Sequence, residues 1–153
     1  MLVNGIERDY IVHDDKCVRG FFGDYRFLSN FEVSPVVFEG VEYPSSEAAY
    51  QGAKSLDPVV RSEFVNLSPS KSKKRGQEIE CRSDWNDVKY GIMYEIVLDK
   101  FFRNPELGQK LLDTGDRYLE ETNHWKDRTW GVCDGIGTNW LGKILMDVRT
   151  QLR

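Results

Sequence analysis

The chain has 153 residues, and its 21 Lys and Arg against 25 Asp and Glu leave a formal net charge of −4. That length suits one domain with a respectable core, and 40% hydrophobic with 12% aromatic content is too apolar for a disordered tail. The acidic balance argues against a protein that coats nucleic acid with its whole surface, though a local basic patch remains open.

Strand signals come first along the chain. Tyr10-Ile11-Val12-His13 alternates weakly, and Val36 to Tyr43 predicts a hairpin turning at Glu39-Gly40. Pro44-Ser45-Ser46 then opens a helix from Glu47 to about Ser55, with a serine capping its free amides. Asp57-Pro58, Ser68-Pro69 and Asn104-Pro105 each set a capping residue before a proline at the first helical position. A longer helix covers Asn86 to Arg103. A short strand over Tyr118 to Glu121 leads into a Trp- and Gly-rich loop. Asn139 is expected to cap a last helix whose Ile144, Leu145, Val148 and Leu152 share a face. Short strands and a hairpin followed by several helices, without βαβ alternation, predict a single small α+β domain. Residues 1–20 are its lead-in strands and residues 21–153 its body.

Cys17, Cys81 and Cys133 form no Cys-x-x-Cys pair, and His13 and His124 lie near none of them in sequence. Neither a zinc site nor a disulfide framework is expected, so no metal or cofactor enters the reading and a reducing, cytoplasmic setting fits. The first residues show no basic start leading into an apolar run, so a secretory leader is not expected. Apolar runs of only a few residues fall far short of the roughly 20 needed to span a bilayer.

One lysine stands out. With Val88 set at zero and about 100° per residue, Ile92, Ile96, Met93 and Val97 define an apolar arc centred at about 90°, and Lys89 falls at about 100°. A buried ammonium is costly, and burial that neutralises it creates a nucleophile. The alternative is that Lys89, on the first turn, snorkels to water or pairs with a carboxylate. Lys100 falls at about 120°, but the helix C-terminus should let it reach solvent.

Glu47 either complements the dipole of its helix or serves as a general acid/base, with Tyr43 and Tyr50 as apolar walls. Gln51 and Lys54 follow it at steps of four and three, so an acid, an amide and a cation share one side. Trp125, Trp130 and Trp140 read as core, with Trp130 the best placed to stack on a ring. Gly135 to Gly142 reads as a tight turn before the last helix, or as a phosphate cradle built on its free amides. Lys71 to Arg75 is a solvated basic face or a phosphate-contacting patch.

Taken in order, several blocks resemble the NADAR family, also called YbiA-like. They are Tyr25-Arg26-Phe27-Leu28-Ser29-Asn30-Phe31, Ser34-Pro35, Gly40 through Lys54, Arg82 through Lys89 with Met93 behind, and Leu112-Asp113-Thr114-Gly115-Asp116. Trp130-Gly131 and Gly137 through Arg149 complete the set. The resemblance implies a small α+β fold and N-glycosidase activity on a ribose C1′–N bond. The implied substrates are phosphorylated intermediates of riboflavin biosynthesis, or ADP-ribosylated guanine, free or within DNA or RNA. It further implies Glu47 as acid/base and Lys89 as covalent nucleophile, with Asp127 as a third member whose role Asp134 could exchange. Trp85 or Trp130 would stack on the base. Arg26, Asn30, Gln51 and Lys54 would meet phosphate and ribose hydroxyls, with Phe31 and Gly131 beside them. A non-catalytic module that binds ADP-ribose or a nucleotide is the alternative class.

Overall fold

Short local signals build most of the elements in the computed structural model, which describes residues 1–153. The strands β1 (Leu2–Val3), β2 (Ile6–Glu7), β3 (Val12–His13) and β4 (Cys17–Arg19) come first, followed by a 3₁₀ turn over Gly23–Leu28. Next are β5 (Val33–Phe38) and β6 (Val41–Ser45), then α1 (Ser46–Gly52), α2 (Pro58–Glu63), α3 (Pro69–Glu78), α4 (Trp85–Arg103) and α5 (Pro105–Asp113). The chain ends with β7 (Tyr118–Glu120), β8 (Thr122–Asn123), β9 (Val132–Cys133) and α6 (Trp140–Leu152). This is an α+β fold. No helix is long and apolar enough to cross a membrane. The chain divides into two compact units, Met1–Ser29 with Gly108–Arg153, and Asn30–Leu107.

In the unit Asn30–Leu107, β5 and β6 form the expected antiparallel hairpin. Glu39 and Gly40 both take positive φ, 47° and 81°, as a tight hairpin turn matched to strand twist requires. Ser45 caps α1 by accepting from the Ala48 amide at 3.1 Å. Asp57 and Ser68 cap α2 and α3 in the same way, each cap contributing about 1 kcal/mol. Helix α1 stops earlier than Ser55. Gly52 packs its backbone against the rings of Tyr43 and Phe64, and the amides of Lys54 and Ser55 turn back onto Gln51 and Gly52. Asn104 sends its amide to the carbonyls of Lys100 and Pro35, so it closes the end of α4. The core of this unit is Val36, Phe38, Tyr43, Ala48, Ala49, Phe64, Ile92, Met93, Ile96, Val97 and Phe101.

In the other unit, β3 pairs antiparallel with β4, and β4 pairs parallel with β7, Cys17 lying opposite Tyr118. Helix α6 packs on β7, burying Leu141, Ile144, Leu145 and Val148, with Val18, Phe21, Leu111 and Leu119 also in the core. Leu152 is only half-buried. Asn139 corrects the sequence reading. It sits at the start of α6 with φ 54° and makes no side-chain cap. Its Oδ1 accepts from the Glu121 amide, and its Nδ2 donates to Leu119 O and Tyr118 Oη. The side chain bridges the helix start to β7 and the residue that follows it, because those strand ends leave buried groups that need partners.

Candidate functional site

Glu47 lies on the first turn of α1 and is 8% exposed. Its backbone amide donates to Asn30 O at 3.0 Å, and Asn30 Nδ2 donates to Met93 Sδ at 3.5 Å. The chain entering β5 is thereby tied to both α1 and α4. Gln51, one turn after Glu47, donates from Nε2 to Glu47 Oε1 at 2.8 Å. The spacing of four residues places these two side chains on one face of α1.

Past the end of α1, the carbonyl of Lys54 accepts from the Arg82 amide at 2.7 Å. That bond ties the turn after α1 to the segment that opens α4, where Arg82 also forms an ion pair with Asp84. Lys54 is half-buried, and burial pushes its pKa down. Cys81 and Glu47 oppose that shift electrostatically, and the positive charge of Lys89 adds to it. The fields of Glu47 and Lys89 thus both reach Lys54. Trp85 stands at the start of α4 with its ring centroid 5.1 Å from that of Tyr50, the rings inclined by 55°. Phe31 is half-buried.

Lys89 takes the partly exposed place that its position on the first turn allowed, whereas Lys100 reverses its expectation and is the buried lysine of α4. Lys89 is half-buried, donating to Asn86 Oδ1 at 3.3 Å and lying 5.3 Å from the Tyr90 ring centroid. Lys100 is 1% exposed, with its ammonium 5.0 Å from the Phe101 ring centroid. The buried stripe runs through Ile92, Met93, Ile96, Val97, Lys100 and Phe101. Its centre lies at about 130° on the same wheel, so Lys100 falls in its middle. Lys89 has the angle of the stripe but stands one turn before its depth begins. A separate cleft of about 380 Å³ between β5 and α4, lined by Val37, Leu98 and Phe102 among others, holds none of the expected site residues.

Arg26, Asp127, Trp130 and Gly131 belong to the other unit. Arg26 is exposed on the 3₁₀ turn. Asp127 Oδ1 accepts from the amides of Thr129 and Trp130, at 3.1 and 2.9 Å, so this carboxylate shapes its own loop. Asp134 is exposed with φ 53° and pairs with Lys126 and Arg128 at 3.9 and 3.6 Å. Asn123, which the sequence reading passed over, is the hub of this loop. Its Oδ1 accepts from the amides of Trp125 and Asp127, and its Nδ2 donates to the carbonyls of Glu121, Asp127 and Val132. An Asn four residues before an Asp in a Gly- and Trp-rich stretch was its available signal.

Gly131 and the glycine-rich turn have architectural reasons. A Cβ at Gly131 would lie 2.1 Å from Glu121 O, and one at Gly142 the same distance from Leu119 O. The amides of Thr138, Asn139, Trp140 and Leu141 donate to the carbonyls of Arg128, Gly131, Thr129 and Trp130. These four amides, which open α6, are therefore already taken, and that counts against the phosphate-cradle reading. The exposed cations of α3 are Lys71, Lys73 and Lys74, whereas Arg75 pairs with Glu63.

A family model for the NADAR domain matches residues 14–153. A riboflavin biosynthesis protein of Vibrio vulnificus is 37% identical over 134 residues, which is 85% of this chain and 36% of that protein. The chain therefore spans little more than a third of that relative's length. The N-glycosidase YbiA of Escherichia coli is 35% identical over 133 residues, covering 84% of this chain and 82% of YbiA. The NMR structure of E. coli YbiA matches with a TM-score of 0.79 at 32% identity, over 95% of this chain and 89% of that one.

Proposed function

This chain belongs to the NADAR domain family, and from that membership and the side chains of α1 and α4 we propose that it is an N-glycosidase hydrolysing the C1′–N bond of an N-ribosyl compound. One observation carries the reading. A buried carboxylate, Glu47, accepts a hydrogen bond from Gln51, and its field and that of Lys89 meet at Lys54. A carboxylate that moves protons beside reachable amines is the equipment for covalent catalysis at an anomeric carbon.

Glu47 takes a proton from the Lys89 ammonium, and the amine so freed attacks C1′ while the C1′–N bond breaks and the leaving nitrogen receives that proton from Glu47. The lysine nitrogen then forms a C=N bond to C1′ as the ring oxygen leaves and takes the proton that nitrogen sheds, which opens the ribose. Water adds to this Schiff base, the amine departs, and the sugar closes again. The net change is addition of water across the C1′–N bond. Half-burial suits this role, since a nucleophile must be reachable by its substrate. The relatives' names point to riboflavin biosynthesis, and the family resemblance implies as substrates its phosphorylated pyrimidine intermediates or ADP-ribosylated guanine. A reducing cytoplasm suits the exposed free Cys81.

Borohydride trapping tests the proposal. With a ribosylaminopyrimidine phosphate or ADP-ribosylated guanine, free or in an oligonucleotide, wild type should give a stable adduct one sugar heavier at Lys89, and Lys89→Ala none. Turnover by wild type without trapping replaces the Schiff base with direct water attack assisted by Glu47. Binding of ADP-ribose without release of a base makes the protein a binding module.

A further inference from the structure

Gln51 is 5% exposed, and while its Nε2 donates to Glu47, its Oε1 is buried without a hydrogen-bond partner. The reason lies on α3. A Cβ built at Gly76 would stand 1.9 Å from Gln51 Oε1, 2.7 Å from its Cδ and 3.0 Å from its Cβ. The amide of Gln51 therefore occupies the space that a side chain at 76 would fill. Ser72, one turn earlier on the same side of α3, is also fully buried, and α1 and α3 pack closely. Glycine inside a helix is a destabilising choice, so packing against Gln51 accounts for its presence amid the charged run Lys73 to Glu78.

We propose that Gln51 is a positioning residue for Glu47 rather than a substrate contact, and that Gly76 is the seat that holds its amide in place. The inference rests on the reading of Glu47 as the acid/base group. An ionised carboxylate accepts but cannot donate, so it selects the amide orientation with Nε2 toward it. The opposite orientation would set oxygen against oxygen. With Oε1 lodged over Gly76, the amide cannot swing away, and Glu47 is held on one rotamer. A residue on α3, without chemistry of its own, thus sets the geometry of the carboxylate on α1.

The test is a carbon-13 NMR titration of the Glu47 carboxyl, its resonance identified by loss in Glu47→Gln. Gln51→Met keeps the length and removes the donor. Loss of a hydrogen bond to the charged form should move the Glu47 midpoint up by about one pH unit. Gly76→Ala should move it the same way by displacing the amide, and should add nothing in the Gln51→Met background. If Gly76→Ala unfolds the protein, Gln51→Ala in the same chain should restore the fold by removing the obstructing group. An unmoved midpoint in Gln51→Met overturns the positioning role. Equal effects of Gly76→Ala in both backgrounds, or a double variant that stays unfolded, overturn the seat. No substrate is needed, so failure here is read separately from failure of borohydride trapping.

Discussion

The loop from Asn123 to Gly142 and the face formed by α1 and the start of α4 are both polar, but they spend their polarity differently. In the loop, side chains serve the backbone. Asn123, Asp127 and Asn139 accept from five amides between them, counting Trp125, Asp127, Thr129, Trp130 and Glu121. Glycines let its strands of chain approach to distances no side chain would permit. On α1 and α4 the backbone satisfies itself as helix, and side chains are left to act on each other. Glu47 meets Gln51, while Lys54 feels Glu47 and Lys89. Regular structure releases side chains for chemistry, whereas irregular structure consumes them for support. The two regions should therefore fail differently under mutation.

The largest effect should be on turnover with the fold intact. Glu47→Gln is nearly isosteric and should lower kcat by 10²- to 10⁴-fold, about 3–5 kcal/mol of activation free energy. Lys89→Ala should do at least as much, with unfolding free energy changed by no more than about 0.5 kcal/mol, as for other partly exposed sites. A large loss of stability in Lys89→Ala would break the comparison, because it would make Lys89 a support residue as well.

The loop should show the reverse. Gly131→Ala sets a methyl against the backbone oxygen of Glu121, which can yield only by moving the chain between β7 and β8. A loss of about 3 kcal/mol in urea unfolding is expected. Asp127→Asn then separates support from chemistry within one side chain. Asparagine retains the acceptor for the Thr129 and Trp130 amides, so the melting temperature should hold. The third-carboxylate role implied by the family resemblance calls for a fall in kcat of about 10²-fold, the low end for lost proton transfer. Full activity would leave Asp127 as an anchor of the loop alone.

The sequence was most legible where structure is local. The positive φ at Glu39-Gly40 and the Ser45, Asp57 and Ser68 caps each depend on a few neighbouring residues, and composition alone signals them. The parallel pairing of β4 with β7 joins Cys17 to Tyr118 and left no local trace. Lys89 and Lys100 share nearly the same angle on the helical wheel, so periodicity cannot tell them apart. Only the position along α4 at which packing begins decides which is buried, and that is set by other elements. Asn139 was misread for a related reason. The residue type suits a cap, but the strand ends beside it compete for the same side chain. Gly76 was readable in principle as a lone glycine in a helical charge run, although its partner on α1 was not. Of the candidate site, the Glu47–Gln51 pair was visible from spacing, whereas Lys54 lies past the end of α1 and its electrostatic link to Lys89 left no trace in the spacing.

That link yields the smallest predicted effect and the most direct check that α1 and α4 share one field. Burial holds the Lys54 pKa below the ordinary lysine range, and Lys89 adds to the depression while Cys81 and Glu47 oppose it. Lys89→Met should therefore move the Lys54 midpoint up, and Glu47→Gln should move it down, in NMR titrations of the lysine side chains. The sign for stability follows. Between the folded pKa and the higher unfolded value, the unfolded chain holds a proton that the folded chain has released. Stability then rises with pH across that window, and below it the full cost of the buried charge is present. Lys89→Met narrows the window, so the alkaline gain assigned to Lys54 should shrink. Lys54 midpoints indifferent to both substitutions would mean that the helices act separately, and the contrast with the loop would lose its electrostatic half.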